Sequence, residues 1–314
     1  MIRIALVGCG EHSWASHAAP LARYAATNPN EIELVAACDL NREKAVEFCR
    51  SFGFAQAYED LDQMLEVEQP DACVSVMPVD KIGEVGIKLL QRGIPCVIEK
   101  PLGTSLSDIE QLASVARETQ TPHMVSVNRR FMPYLNQGRS WMEQHGPLRY
   151  VRASQVRHQR SEPDFIWSTA IHVIDALRYI AGEVEEFDVT LSRGESKWYV
   201  ISLRFESGIV GQIEIIPTAG MVEESYELFG EGCRARVTAG SGTQRSLECW
   251  SGGERVIESH ATEEEPEDLR NGAYQEVEEF VRALQTGRHP QPTIDDILPS
   301  ARISFAIADR VSNS

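Results

Sequence analysis

The stretch Ile2-Arg3-Ile4-Ala5-Leu6-Val7-Gly8-Cys9-Gly10 decides the fold. A short apolar, β-branched run empties into two glycines one residue apart, and a helical pattern follows, which is how a β-α-β unit of a parallel sheet begins. Gly8 allows the tight turn. Gly10 lets a backbone come close to a pyrophosphate, while the helix behind it presents N–H groups and the positive end of its dipole. The third glycine of such a loop is missing. Ser13 stands three residues after Gly10, and Glu11-His12-Ser13-Trp14-Ala15-Ser16 is one residue longer than usual, so the helix packing must be adjusted there.

Outward from this loop, apolar runs alternate with helical patterns as far as Thr121. The spacing predicts strands at Ile2–Val7, Ile32–Cys38, Ala72–Val76, Pro95–Glu99 and His123–Val127. They are apolar nearly throughout, as strands covered on both faces must be. Helices are expected over Arg42–Ser51, Asp80–Gln91 and Ser107–Glu118, the last opened by a capping box of Ser107 and Glu110. After Met132-Pro133 the pattern changes to a helix at 134–144, a long strand at 148–159 and a helix at 170–181. Strands at 185–192, 198–205, 209–216 and 226–230 then follow through short turns, which argues a large open mixed or antiparallel sheet. Helices at 269–285 and 298–311 close the chain. The expected architecture is α/β: a dinucleotide-binding Rossmann domain over residues 1–122, then an α/β domain for substrate and oligomerisation over 123–314.

The 314 residues suit two domains, each with its own core. The 47 acidic against 30 basic side chains leave a net charge of −17, which repels a nucleic-acid backbone and an anionic membrane alike. Neither is an expected partner. The acids crowded between Glu258 and Glu279 read as a solvated loop leading into a helix. Seven cysteines, an odd number without C-x-x-C, with Cys9, Cys38, Cys73 and Cys96 in or beside apolar strands, fit small core residues in a reducing cytoplasm. No secretory signal or membrane-spanning run is expected.

The second strand ends in Cys38-Asp39, where a carboxylate can accept from adenosine ribose hydroxyls and would repel a 2′-phosphate. NAD is therefore the expected cofactor, with NADP the lesser option through Arg42; Asp39 could instead cap the next helix. The strand Pro95–Glu99 ends in Glu99-Lys100-Pro101, a charged pair at the carboxyl edge of the sheet, with Lys100 aimed from a rigid point by the proline. Arg157 and Arg160, at the end of the long strand, are candidates for a carboxylate or phosphate. No spacing for a metal or a hydrolytic triad appears, and no metal is expected.

In this order Gly8-Cys9-Gly10, Cys38-Asp39, Glu99-Lys100-Pro101, Asn128-Arg129-Arg130-Phe131 with Pro133, and Ile171-His172-Val173-Ile174-Asp175 resemble the Gfo/Idh/MocA oxidoreductases over nearly the whole chain. The resemblance implies hydride transfer between a nicotinamide and a sugar, cyclitol or related small molecule, in a homodimer or homotetramer. It implies that Lys100 contacts nicotinamide ribose and substrate, that His172 is the acid or base, and that Asn128 and Arg129 border the site. Where the family commonly carries Asp-x-Gly-x-His, this chain reads Ser168-Thr169-Ala170-Ile171-His172, so the usual carboxylate is Ser168. Asp175, a helical turn past His172, or Asp164 could stand in for it. The expected cofactor set is Gly8, Cys9, Gly10, His12, Ser13, Asp39, Pro78, Glu99, Lys100 and Asn128. The expected substrate set is Arg129, Arg157, Arg160, Trp167, Ser168 and Asp175. Two other readings stay open: a sensor that binds dinucleotide without turnover, and an NAD-dependent glycosidase that recycles its cofactor.

Overall fold

The computed structural model describes residues 1–194, 196–240 and 245–312. The chain divides into two compact units, Met1–Asn128 with Gly272–Leu298, and Arg129–Asn271 with Pro299–Ser314.

The first unit is built on six parallel strands, β1 (Ile2–Val7), β2 (Ile32–Cys38), β3 (Gln56–Tyr58), β4 (Ala72–Ser75), β5 (Cys96–Glu99) and β6 (His123–Ser126). Their order is β3-β2-β1-β4-β5-β6. The order reverses between β1 and β4, and it is outside the carboxyl ends of strands at such a reversal that open α/β sheets bind ligands. The sheet runs past the expected boundary at residue 122, because β6 pairs with β5. The unit also takes back the helix Ala273–Gln285, where Tyr274 packs near Tyr24 and Gln285 bonds Glu31.

Gly8 is the tightest point of this sheet. Its φ is +93°, and a Cβ there would stand 2.0 Å from the carbonyl oxygen of Val76. The chain after β1 thus turns directly against the chain after β4. The helix after β5 begins earlier than expected, at Leu106, and its capping box is Ser105 with Asp108 rather than Ser107 with Glu110. The Ser105 hydroxyl accepts from the Asp108 amide and the Asp108 carboxylate accepts from the Ser105 amide. Both pairs satisfy the same sequence rule. The acids between Glu258 and Glu279 are not all solvated, for Asp268 and Glu276 are buried.

The second unit carries an eight-stranded sheet: β7 (Leu148–Val156), β8 (Val184–Leu191), β9 (Tyr199–Phe205), β10 (Val210–Ile216), β11 (Glu223–Gly230), β12 (Cys233–Gly240), β13 (Arg245–Ser251) and β14 (Glu254–His260). Its order is β14-β13-β12-β11-β7-β10-β9-β8, antiparallel except where β7 meets β10. β7 stops three residues short of the expected Gln159, since its partner β10 ends at Ile216 and Pro217 follows. Strict alternation along β9 and β10 puts Ile201, Leu203, Phe205, Ile213 and Ile215 into a core shared with Leu135, Trp141 and Val173. The helices Pro133–His145 and Ile171–Ala181 supply the latter three. Val200, Val210 and Val256 stay exposed.

Gly8→Ala is expected to cost about 3 kcal/mol or more, because a left-handed backbone and a backbone clash act together. Urea denaturation of the variant checks it; wild-type stability would mean that the loop re-forms around a side chain.

Candidate active site

The residues expected to hold the dinucleotide gather at the carboxyl edge of the first sheet. Gly8, Cys9 and Gly10 follow β1, Asp39 follows β2, and Pro78 stands at the start of the helix Val79–Gln91 beyond β4. Glu99 ends β5 with Lys100 next to it, and Asn128 opens the turn Asn128–Phe131 after β6.

The backbone here fits a pyrophosphate. A Cβ on Gly10 would meet nothing within 4 Å, and no side chain caps the helix that begins at Glu11. Cys9 differs from its neighbours. Its thiol is buried, and burial, followed by the charge of Asp39, holds the thiol far above its ordinary pKa. Its amide donates to the Asp39 carboxylate at 2.8 Å. The other Asp39 oxygen accepts from the Asn41 amide at 2.8 Å, and Asn41, not Asp39, caps the next helix by accepting from the amides of Glu43 and Lys44. Asp39 therefore ties the glycine loop to the end of β2. Arg42 lies 3.9 Å from Glu59 on the surface.

The extra residue of the loop is absorbed in the helix itself. Trp14–Ala18 forms a π-helical turn between the α-helical segments Glu11–Ser13 and Ala19–Thr27, and such a turn takes up one inserted residue. Trp14 projects against Phe48 and Phe52, with ring centroids 5.2 and 4.5 Å away. Ser13, at the place of the third glycine, is fully buried. Within the π turn, His17 is buried and meets Glu99 at 2.9 Å.

Glu99 joins three pieces of this edge. Its second oxygen lies 3.2 Å from His12 Nε2, and Lys100 Nζ is 4.0 Å away. Burial alone would raise the Glu99 carboxyl, but hydrogen bonds from His12 and His17, with the charges of His17 and Lys100, outweigh it and hold the group well below the usual carboxylate range. Glu99 is thus an anion at neutral pH. The imidazole nitrogens and this carboxylate lie within 4.8 Å of one another, a grouping of metal-ligand type that no sequence spacing announced and that their hydrogen bonds account for.

The second unit gathers its own cluster where β7 and β11 lie side by side. Glu224 of β11 is buried, and Arg129 reaches it with two bonds of 3.0 and 2.7 Å. Arg157, just past β7, bonds the same carboxylate, as do the Gln155 amide at 3.3 Å and the Tyr226 hydroxyl at 3.0 Å. Burial would raise Glu224, but the charge and hydrogen bonds of Arg129, then Arg157 and His172, hold it well below the usual range. His172 opens the helix Ile171–Ala181, its amide donating to Thr169. Gln155 also donates to the Thr169 carbonyl, and Arg160 to the Thr169 hydroxyl, with Ser168 beside it. Arg129, Arg157, Arg160, Ser168 and His172 are thus brought together.

Asp175 and Trp167 are not part of that cluster. Asp175 is fully buried, and its two oxygens accept 2.8 Å bonds from Arg130 and a 2.7 Å bond from Ser300. It anchors the helix and does not replace the missing carboxylate. Trp167 stacks on Phe305 with ring centroids 5.2 Å apart and planes inclined by 12°, a packing contact. The charged centre that sequence reasoning missed is Glu224. The signal was present: Glu224, Tyr226 and Leu228 share the inward face of β11, and a glutamate at an apolar-face position of a strand calls for buried cations. His17 was missed because nothing in the local spacing ties it to Glu99, 82 residues further on.

A family model described as the oxidoreductase family, NAD-binding Rossmann fold, matches residues 2–128, and one described as the C-terminal α/β domain matches residues 121–313. The chain is similar to a 4-carboxy-2-hydroxymuconate-6-semialdehyde dehydrogenase of Sphingobium sp., 24% identical over 96% of both chains. It is similar to a myo-inositol 2-dehydrogenase of Thermotoga maritima, 23% identical over 84% of both. An oxidoreductase of Agrobacterium radiobacter, solved with NAD+, L-tartaric acid and magnesium, shares the fold with a TM-score of 0.80 and 17% identity, over 97% of this chain and 94% of that one. With both domain models matched in order and the glycine loop, Asp39, Glu99-Lys100 and His172 on the strands and helix that carry them, the chain belongs to the Gfo/Idh/MocA family of nicotinamide-dependent oxidoreductases.

Proposed function

We propose that the protein transfers a hydride between NAD and a hydroxyl-bearing carbon of a sugar, cyclitol or related polyhydroxy compound. The observation that carries this reading is the sheet edge on which the open backbone of Gly10 and the Glu99-Lys100 pair are linked through His12 and His17. The bound nicotinamide supplies the hydride acceptor in oxidation and the donor in reduction. His172 takes the hydroxyl proton as the carbinol carbon gives up its hydride, and returns it in the reverse direction. Lys100, held near Glu99, stabilises the alkoxide that develops on that oxygen.

Asp39 keeps further acceptor capacity beyond its two backbone bonds, which supports ribose recognition and disfavours a 2′-phosphate. Seven free cysteines, six of them buried, support a reducing cytoplasmic setting. Among the described residues no helix is long and apolar enough to cross a membrane. The exposed valines of the second sheet support self-association into a dimer or tetramer.

NAD is expected to bind at least about tenfold more tightly than NADP, roughly 1.4 kcal/mol, and calorimetry on the two dinucleotides decides it; equal affinity removes the ribose role from Asp39. Lys100→Met is expected to lower turnover roughly 10²-fold with little change in dinucleotide affinity, and ordinary turnover would make Lys100 a surface charge. Oxidation should rise with pH as the His172 imidazole loses its proton, and reduction should fall over the same range. In His172→Asn that limb should vanish while circular dichroism stays unchanged, whereas an unaltered pH–rate profile would leave His172 a structural residue.

A further inference from the structure

The helix that carries His172 does not fix its own start. Ala170 stands at its N-cap and has no side-chain oxygen to accept from the first amides, and Asp175 holds the helix only from one turn further on. The turn before it is held from the sheet instead. Gln155 of β7 donates through its amide nitrogen to the Thr169 carbonyl at 3.4 Å and to Glu224 at 3.3 Å. The same carbonyl accepts from the His172 amide at 3.3 Å. One side chain thus joins a strand to the peptide group from which the His172 amide hangs.

Packing alone does not ask for a glutamine here. Val151, Ala153 and Gln155 share the inward face of β7, and Gln155 lies beside Ile215 of β10 and Glu224 of β11 in the ladder. The side chain is wholly buried. Because both of its partners are acceptors, the amide nitrogen must face them, and among the described residues none donates to the buried Oε1. A buried acceptor without a protein donor works against stability. Nor does Glu224 depend on this bond, since Arg129, Arg157 and the Tyr226 hydroxyl hold it as well. What the amide adds is a tie between a carboxylate fixed from several sides and the turn at Thr169. Polar groups kept against the interest of packing are characteristic of functional sites.

Resting on the reading of His172 as the acid and base of hydride transfer, we propose that Gln155 is a positioning residue for that histidine. It touches no reacting atom. It holds the Thr169 carbonyl toward β7, and so sets where the helix begins and where the imidazole is carried. Its role is placement, and the fold does without it.

The test uses the whole protein with isotope-labelled histidine and no substrate, so that it needs no turnover. The eight histidines give imidazole signals in heteronuclear NMR, and the set lost in His172→Asn belongs to His172. Gln155→Met keeps the length of the side chain and removes the amide, while Thr169 and Glu224 each keep another donor. It is expected to shift or broaden the His172 imidazole signals, to leave those of the other histidines in place, and to unfold at a urea midpoint equal to or above that of the wild type. Unmoved His172 signals overturn the proposal, as does a shift spread over the other histidines. A lower midpoint, or a Gln155→Met protein that does not fold, overturns it as well, because Gln155 would then be an ordinary structural bond. The acid–base reading is judged apart from this: an unaltered pH–rate profile in His172→Asn defeats that reading, whereas unmoved signals beside an altered profile defeat only the role of Gln155.

Discussion

The buried anion at Glu99 is the constraint on which the first unit's chemistry depends. A carboxylate at the end of a central strand survives burial only if donors surround it. The sequence supplies them from one helix, His12 at its first turn and His17 in the π turn. Because both imidazoles belong to the segment that follows Gly10, satisfying Glu99 also fixes the position of the glycine loop relative to β5. Lys100 is placed by the same arrangement, since it is covalently next to the carboxylate and within 4.0 Å of it. One electrostatic requirement thus aligns the glycine loop and the Lys100 amine on one sheet edge.

The second unit solves its packing with buried carboxylates too, but uses them in two ways. Asp175 closes a network with Arg130, Arg178 and Ser300, to which Glu183 adds a second acid, and which ties the helix carrying His172 to the helix Ile294–Ser312. Glu224 works on the sheet side, collecting residues from β7, β11 and the segment after Asn128. The helix anchor sets where His172 can be; the strand anchor sets what charge surrounds it. Separating the two tasks lets one vary while the other holds the fold.

Much of this was legible in the residues. Continuous apolar runs place five of the six parallel strands to within a residue, because a strand covered on both faces has no choice of composition. β3, three residues long and half-buried, carries no such pattern. The strands β12 to β14 were missed although Cys233-Arg234-Ala235-Arg236-Val237 alternates apolar and polar residues, the period of two that marks a half-buried strand. The return of residues 272–298 to the first unit has no local signal, since it depends on contacts made by residues distant in the chain, such as Val125 with Pro292 and Arg117 with Asp295. Site residues followed the same division. Those at strand ends, from Gly8 to Lys100, could be read from order alone, whereas Glu224 acquires its role only when β11 is laid beside β7.

The two departures from the family pattern carry different physical weight. Serine for glycine at position 13 comes with an added residue, and the helix answers with a π turn that restores the register of His17 to Glu99. That change is compensated within a few residues and leaves the charge of the edge as it was. Serine for aspartate at position 168 has no local compensation of that kind. It removes a negative charge from the turn before His172, and the nearest buried carboxylate of that cluster, Glu224, is already committed to two arginines. A backbone adjustment can absorb a change of length, but nothing in a packed interior absorbs a change of charge except another charge. The first substitution therefore bears on how the loop is built, and the second on the charge of the turn before His172.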